Sequence, residues 1–134
     1  MMTRKLVEVV EAIGQRLQQL SGLPIANGPL PANGGAAIAH AGGDVTRHMD
    51  GGASVKLRVA VNTKDMLQMR AIEMQDQIHA AVVMAALEGG SWQITGTSIK
   101  AMPSLMGQDS AGYWLYHSVI EVRVYFAAPE VIKK

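Results

Sequence analysis

Ser54-Val55-Lys56-Leu57-Arg58-Val59-Ala60-Val61-Asn62 alternates apolar and polar residues with a period of two. Successive side chains on a strand point to opposite faces of the sheet. Val55, Leu57, Val59 and Val61 therefore share one face, and Lys56, Arg58 and Ala60 share the other. The first face needs a covering layer. The second is expected to be wet or to contact a partner. Such a strand belongs to a sheet packed on one side.

The covering layer is legible on both sides of this strand. Downstream, Asn62-Thr63-Lys64-Asp65 offers caps for a helix over 65–87. Leu67, Ala71, Met74, Ile78, Val82 and Ala85 form its apolar stripe, and Gly89-Gly90 ends it. Upstream, Leu6, Val9, Val10, Ile13, Leu17 and Leu20 recur at helical spacing. They predict a helix over 3–20, with Thr3 as its N-cap and Ser21-Gly22 as its stop.

The remaining pieces fall between these elements. Residues 22–35 carry Pro24, Pro29 and Pro31 and read as an extended arm or loop. Ala36 to Ala41 is a short strand, and 42–53 a long glycine-bracketed hairpin loop. A strand from Ser91 to Ala101 has Gly96 as a bulge candidate. Pro103 to Gly112 reads as a loop, and Tyr113 to Ala127 as a long strand. On that strand Trp114, Tyr116, Ile120, Val122, Val124 and Phe126 share a face, opposite His117, Glu121 and Arg123. The order α-β-β-α-β-β predicts an α+β fold: a four-stranded, mainly antiparallel sheet with two helices on one face. The expected organisation is a single domain over 1–127 and a mobile tail over 128–134.

Composition narrows the function. The 134 residues include six aromatics and nine methionines, which predicts an adaptable core of Val, Ile, Leu, Ala and Met. There is no cysteine, which excludes disulfides, thiolate metal sites and a cysteine nucleophile. A net charge of +1 gives no broad attraction to nucleic acid or acidic lipid. No signal peptide or membrane-spanning run is apparent.

The chemistry-bearing residues form no recognisable catalytic pattern. His40, His48, His79 and His117 lack the i, i+4 spacing of a helical metal pair. Asp44, His48 and Asp50 share one loop, but a glycine-flanked loop is a poor frame for a metal and reads as a solvated turn. His79 is expected to be a partly exposed helical histidine. Glu73, Asp76 and Glu88 read as a solvated face. No Gly-x-Ser-x-Gly elbow or phosphate-binding glycine loop occurs. Lys56, Arg58, Lys64 and Arg70 are interspersed with acids, without aromatics to stack bases. No catalytic residue, metal or cofactor is expected. The remaining features are the proline-rich arm, the hairpin loop with Arg47, His48 and Asp50, and the aromatic cluster Tyr113, Trp114 and Tyr116, which are the expected oligomer or partner contacts of a self-assembling subunit. Aromatics of this kind either cap a core or anchor an interface.

Thr46-Arg47-His48-Met49-Asp50-Gly51-Gly52, the alternating strand Val55 to Val61 and the long helix after it resemble the tail-terminator and minor capsid proteins of tailed bacteriophages. So do Pro103-Ser104-Leu105 through Asp109, Gly112-Tyr113-Trp114 and the strand Ile120 to Phe126. The resemblance spans 1–127 in element order. His48-Met49 stands where such proteins often have a tyrosine before Asp-Gly. The resemblance implies a virion protein at the head–tail junction, assembled in the host cytoplasm. About six copies would form a homo-oligomeric ring. That ring would sit on the tail tube protein, stop tube growth and meet the head connector or stopper protein. DNA would pass through without sequence-specific binding, and no membrane, catalysis or cofactor would be involved. Two other readings remain open: a head-completion or stopper protein, and a small-molecule-binding or catalytic domain using His40, His48 or His117.

Overall fold

The computed structural model describes residues 2–84 and 92–127. Its elements are α1 (Met2–Ser21), β1 (Ile25–Asn27), β2 (Gly35–Arg47), β3 (Ala53–Asp65), α2 (Gln68–Met84), β4 (Trp92–Gln108) and β5 (Trp114–Phe126). The predicted end of the second helix, Gly89-Gly90, Ser91 and the tail over 128–134 lie outside the described residues.

The general α+β class agrees with the sequence reading. The sheet does not. It has five strands in the order β1-β2-β3-β5-β4. β1 runs parallel to β2, and every other pair is antiparallel.

Each departure from the four-strand expectation has a local cause. β1 occupies three of the four residues between Pro24 and Pro29, so no proline N–H is missing from its ladder. β2 does not stop at Ala41 but runs on to Arg47, making strand out of the first half of the expected loop. It passes Gly42-Gly43 by shifting register between His40 and Gly43. Gly43 is needed there: its φ is 151°, and a Cβ would collide with the Lys56 carbonyl. The true turn is His48 to Gly52, closed by Gly51 N–H to His48 O at 3.0 Å and Gly52 N–H to Asp50 Oδ1 at 2.9 Å. β4 continues through Pro103 to Gln108, where a loop was expected. It is an edge strand, and an edge tolerates the missing proline N–H. The bulge expected at Gly96 is present, between Ile94 and Gly96.

The inward rows match the predicted phases. Val55, Leu57, Val59 and Val61 of β3 meet Ile120, Val122 and Val124 of β5 in one core with Val9, Val10, Ile13 and Leu17 of α1 and Met74, Ile78 and Val82 of α2. Both helices thus cover one face of the sheet. The Trp92 indole N–H donates to Glu8 Oε1 at 3.0 Å, tying α1 to the far strand. α2 starts at Gln68, three residues later than expected, because Asp65 belongs to β3. Leu67 precedes the helix and is 69% exposed, so it is not part of the stripe.

The expected Val, Ile, Leu and Ala core is present, but methionine contributes little to it. Among the described residues Met74 is buried, whereas Met49, Met66, Met69, Met102 and Met106 are exposed. The core is mainly aliphatic, with Met74, Trp92 and Phe126 in it, and the other five of these methionines stand at the surface. Leu57 is 1% exposed at the centre of the core. Replacing it with Ala is expected to cost ~2–5 kcal/mol, measured by urea unfolding.

Candidate assembly surfaces and a buried polar seam

The structure separates the residues singled out in the sequence into two groups. Arg47, His48 and Asp50 lie at the β2–β3 turn, beside the end of β5 where Ala53 pairs with Phe126. His48 Nε2 is 2.8 Å from Ser54 Oγ, and its ring is tilted against Tyr125 with centroids 6.0 Å apart. Asp50 is occupied by its turn bond to Gly52. Arg47 is exposed. Tyr113, Trp114 and Tyr116 stand at the opposite end, where Trp114 pairs with Asp65. The two groups are ~40 Å apart along β3, at about 3.3 Å per residue. They do not form one site.

At that second end Asp109 organises the β4–β5 turn, accepting the N–H groups of Ala111 and Tyr113 at 3.0 and 2.9 Å. Lys64 Nζ reaches Asp109 at 3.8 Å and lies 5.0 Å from the centre of the Tyr113 ring. Tyr116 is buried, and its hydroxyl accepts Gln68 Nε2–H at 2.9 Å. It caps the core instead of presenting a contact. Trp114 is half-buried.

The sequence reading missed the apolar groups around this end. Met66, Leu67 and Met69 precede or begin α2, and Met102, Leu105 and Met106 line the second half of β4. All six are exposed. Leu105 pairs with Tyr116 and Gln108 with Trp114, which places this half of β4 at the Trp114 end of the sheet. β4 is also an edge, with one side open among the described residues. Exposed apolar groups beside an unpaired strand edge mark an association surface. The available signal was the methionine spacing on either side of the Pro103 segment.

Beneath this end lies a polar seam between α2 and the sheet. Thr63, Gln75 and Ser118 are 0% exposed, and His79 is 7% exposed, contrary to its expected partial exposure. Ser118 donates its hydroxyl proton to Gln75 Oε1 at 2.7 Å. That proton is therefore spent, so His79 must donate its Nε2–H to Ser118 Oγ at 2.8 Å. Gln75 Nε2 donates to Val61 O at 2.9 Å, with Thr63 Oγ1 and Tyr116 O each at 3.3 Å. Thr63 donates to Ala71 O at 2.9 Å. The chain of donors has one direction and leaves the seam satisfied. Burial pushes the His79 pKa down, with Asp76 opposing that shift. His40 is exposed and His117 Nδ1 lies 2.7 Å from Asn62 Oδ1. Among the described residues no three His, Asp or Glu side chains gather as a metal site.

No protein-family model matches the sequence, and no curated protein does. The fold is similar to that of a chain in the structure titled "Virion of native gene transfer agent (GTA) particle", with a TM-score of 0.55 at 20% identity. The match covers 81% of this chain and 84% of that one. It is a likeness of fold.

Two outcomes test the seam. Gln75→Ala should destabilise the protein by roughly 1–3 kcal/mol in chemical unfolding, because it strands the buried Ser118 hydroxyl donor and removes the side-chain donor to Val61 O. The unfolded state holds the His79 proton more tightly than the folded state does. The contribution of neutral His79 to stability is thus full above its ordinary pKa of 6.5 and is lost as pH falls below it. The His79→Gln variant should show a flatter stability profile than the parent in that window.

Proposed function

We propose that this chain is a structural protein of a phage-like virion and acts there as a tail terminator. It closes into a ring of about six copies on the finished tail tube, ends tube growth and presents a surface to the head connector. The observation that carries this reading is the apolar, open-edged end of the sheet formed by Met66, Leu67, Met69, Met102, Leu105 and Met106. A protein that works alone has little use for such a surface. The fold likeness to a chain of a gene transfer agent virion supports the setting.

The reading requires no catalytic step and no cofactor. The buried His79, Ser118 and Gln75 are committed to one another, which suits a structural seam better than a reaction centre. DNA passes through the ring without being read by sequence, and no membrane takes part.

The β2–β3 hairpin is a poor place to test this reading. Shortening Asp44 to Asp50 would remove paired β2 residues, so it does not isolate an assembly contact. Met102→Lys with Leu105→Lys isolates one, since both side chains are exposed. By light scattering, the parent should form a closed oligomer alone or on tail tubes. The double variant should stay monomeric with its melting temperature nearly unchanged. A parent that neither oligomerises nor binds tail tubes overturns the reading. Particles lacking the protein should carry overlong tails; leaking heads with normal tails would instead make it a stopper.

A further inference from the structure

The helix-free face of the sheet carries a second feature, independent of the ring reading. Lys56 and Arg123 are direct cross-strand partners on β3 and β5, and both are exposed. Like charges directly opposite each other destabilise a strand pair. The other cations of this face are matched: Arg58 meets Asp44 at 3.5 Å, Lys64 meets Asp109 at 3.8 Å and Lys100 meets Glu121 at 3.8 Å. Among the described residues neither Lys56 nor Arg123 makes an ion pair, although Asp44 is the cross-strand partner of Lys56 on its β2 side.

The two cations border a cleft of about 380 Å³. Thr46, Ser54 and Thr95 line it with hydroxyls. Asp44 stands at its rim, already held by Arg58. Ser54 is bonded to His48, and Thr95 donates to the Arg123 carbonyl at 3.3 Å. Arg123 is placed by Gly96. A Cβ on that residue would stand 2.9 Å from Arg123 Cζ, so a side chain at 96 would displace the guanidinium. The bulge in β4 thus opens the space that Arg123 fills.

We propose that the Lys56–Arg123 cleft binds a phosphate group, supplied either by free phosphate or by a nucleic-acid backbone. A guanidinium, an ammonium and neighbouring hydroxyls are the donor set that recognises phosphate oxygens. The cleft sets two cations, Lys56 and Arg123, against one acid, Asp44, over a floor that includes Val55 and Val124, and no exposed aromatic or methionine stands in its lining. Nucleic-acid contacts have that character, whereas protein interfaces carry apolar or aromatic anchors. Contact with phosphate reads no bases, consistent with the scattered basic residues of the sequence.

The test is an NMR titration of the full chain with inorganic phosphate at constant ionic strength, repeated with a short DNA duplex of arbitrary sequence. Phosphate should give saturable shifts confined to the neighbourhood of Thr46, Ser54, Lys56, Thr95 and Arg123. Lys56→Gln and Arg123→Gln should each weaken binding about tenfold, equivalent to about 1.4 kcal/mol. Gly96→Ala should weaken it comparably while leaving the net charge unchanged. If the duplex reproduces the same shifts, with affinity falling as salt rises, the source is a nucleic-acid backbone. If phosphate alone acts, the source is a free phosphate. Shifts spread evenly over Arg47, Lys64 and Lys100, or Gly96→Ala binding like the parent, would overturn the site. Tighter binding of an acidic peptide than of either phosphate source would overturn it in favour of a protein contact.

Discussion

The pairing of β3 with β5 is the constraint on which the rest of the molecule depends. It runs without a register shift from Ala53 opposite Phe126 to Asp65 opposite Trp114. The two outer pairings of β2 with β3 and of β4 with β5 both contain shifts. Slipping β3 by one residue would turn Val55, Leu57, Val59 and Val61 away from the helices and bring Lys56 and Arg58 inward. The same slip would separate Val61 and Thr63 from Gln75. The unbroken central pair therefore fixes the apolar core and the polar seam together.

That seam explains how a buried polar layer coexists with an exposed apolar end of the sheet. Gln75 and His79 anchor α2 to Thr63, Val61 and Ser118 through directional bonds, which specify one rotation of the helix where apolar contacts would tolerate several. With the helix so fixed, the Gln68 amide reaches the Tyr116 hydroxyl, and Met66, Leu67 and Met69 are carried to the same end of the sheet as Leu105 and Met106. Burial of one polar set thereby orients an exposed apolar set.

The two edges of the sheet are built differently. β1 contributes three residues and leaves most of β2 without a partner on that side, where the strand is exposed and bulged. β4 is long, lies beside the central pair and carries exposed apolar groups on its second half. Pro103 and repeated register shifts interrupt its ladder. Such interruptions restrain indiscriminate strand addition while leaving side chains available for a specific contact.

Periodicity and local chemistry were written in the sequence. The alternation of Val55 to Val61, the stripe from Val9 to Leu17, the even-numbered row of β5 and the bulge at Gly96 all depend on neighbours a few residues away. Tertiary structure decided the rest. β1 exists because three residues between prolines meet Ala36 to Ile38 across space. β4 continues through Pro103 because its open side asks for no N–H there, which an edge position alone permits. His79 is buried because Ser118, distant in the chain, accepts its proton. Lys56 and Arg123 become neighbours, and Leu105 and Met106 come to the same end of the sheet as Met66, only when strands far apart in sequence are set in register. Local spacing determines which faces are apolar; which residues meet across those faces, and which edges stay open, depends on pairings that no local pattern records.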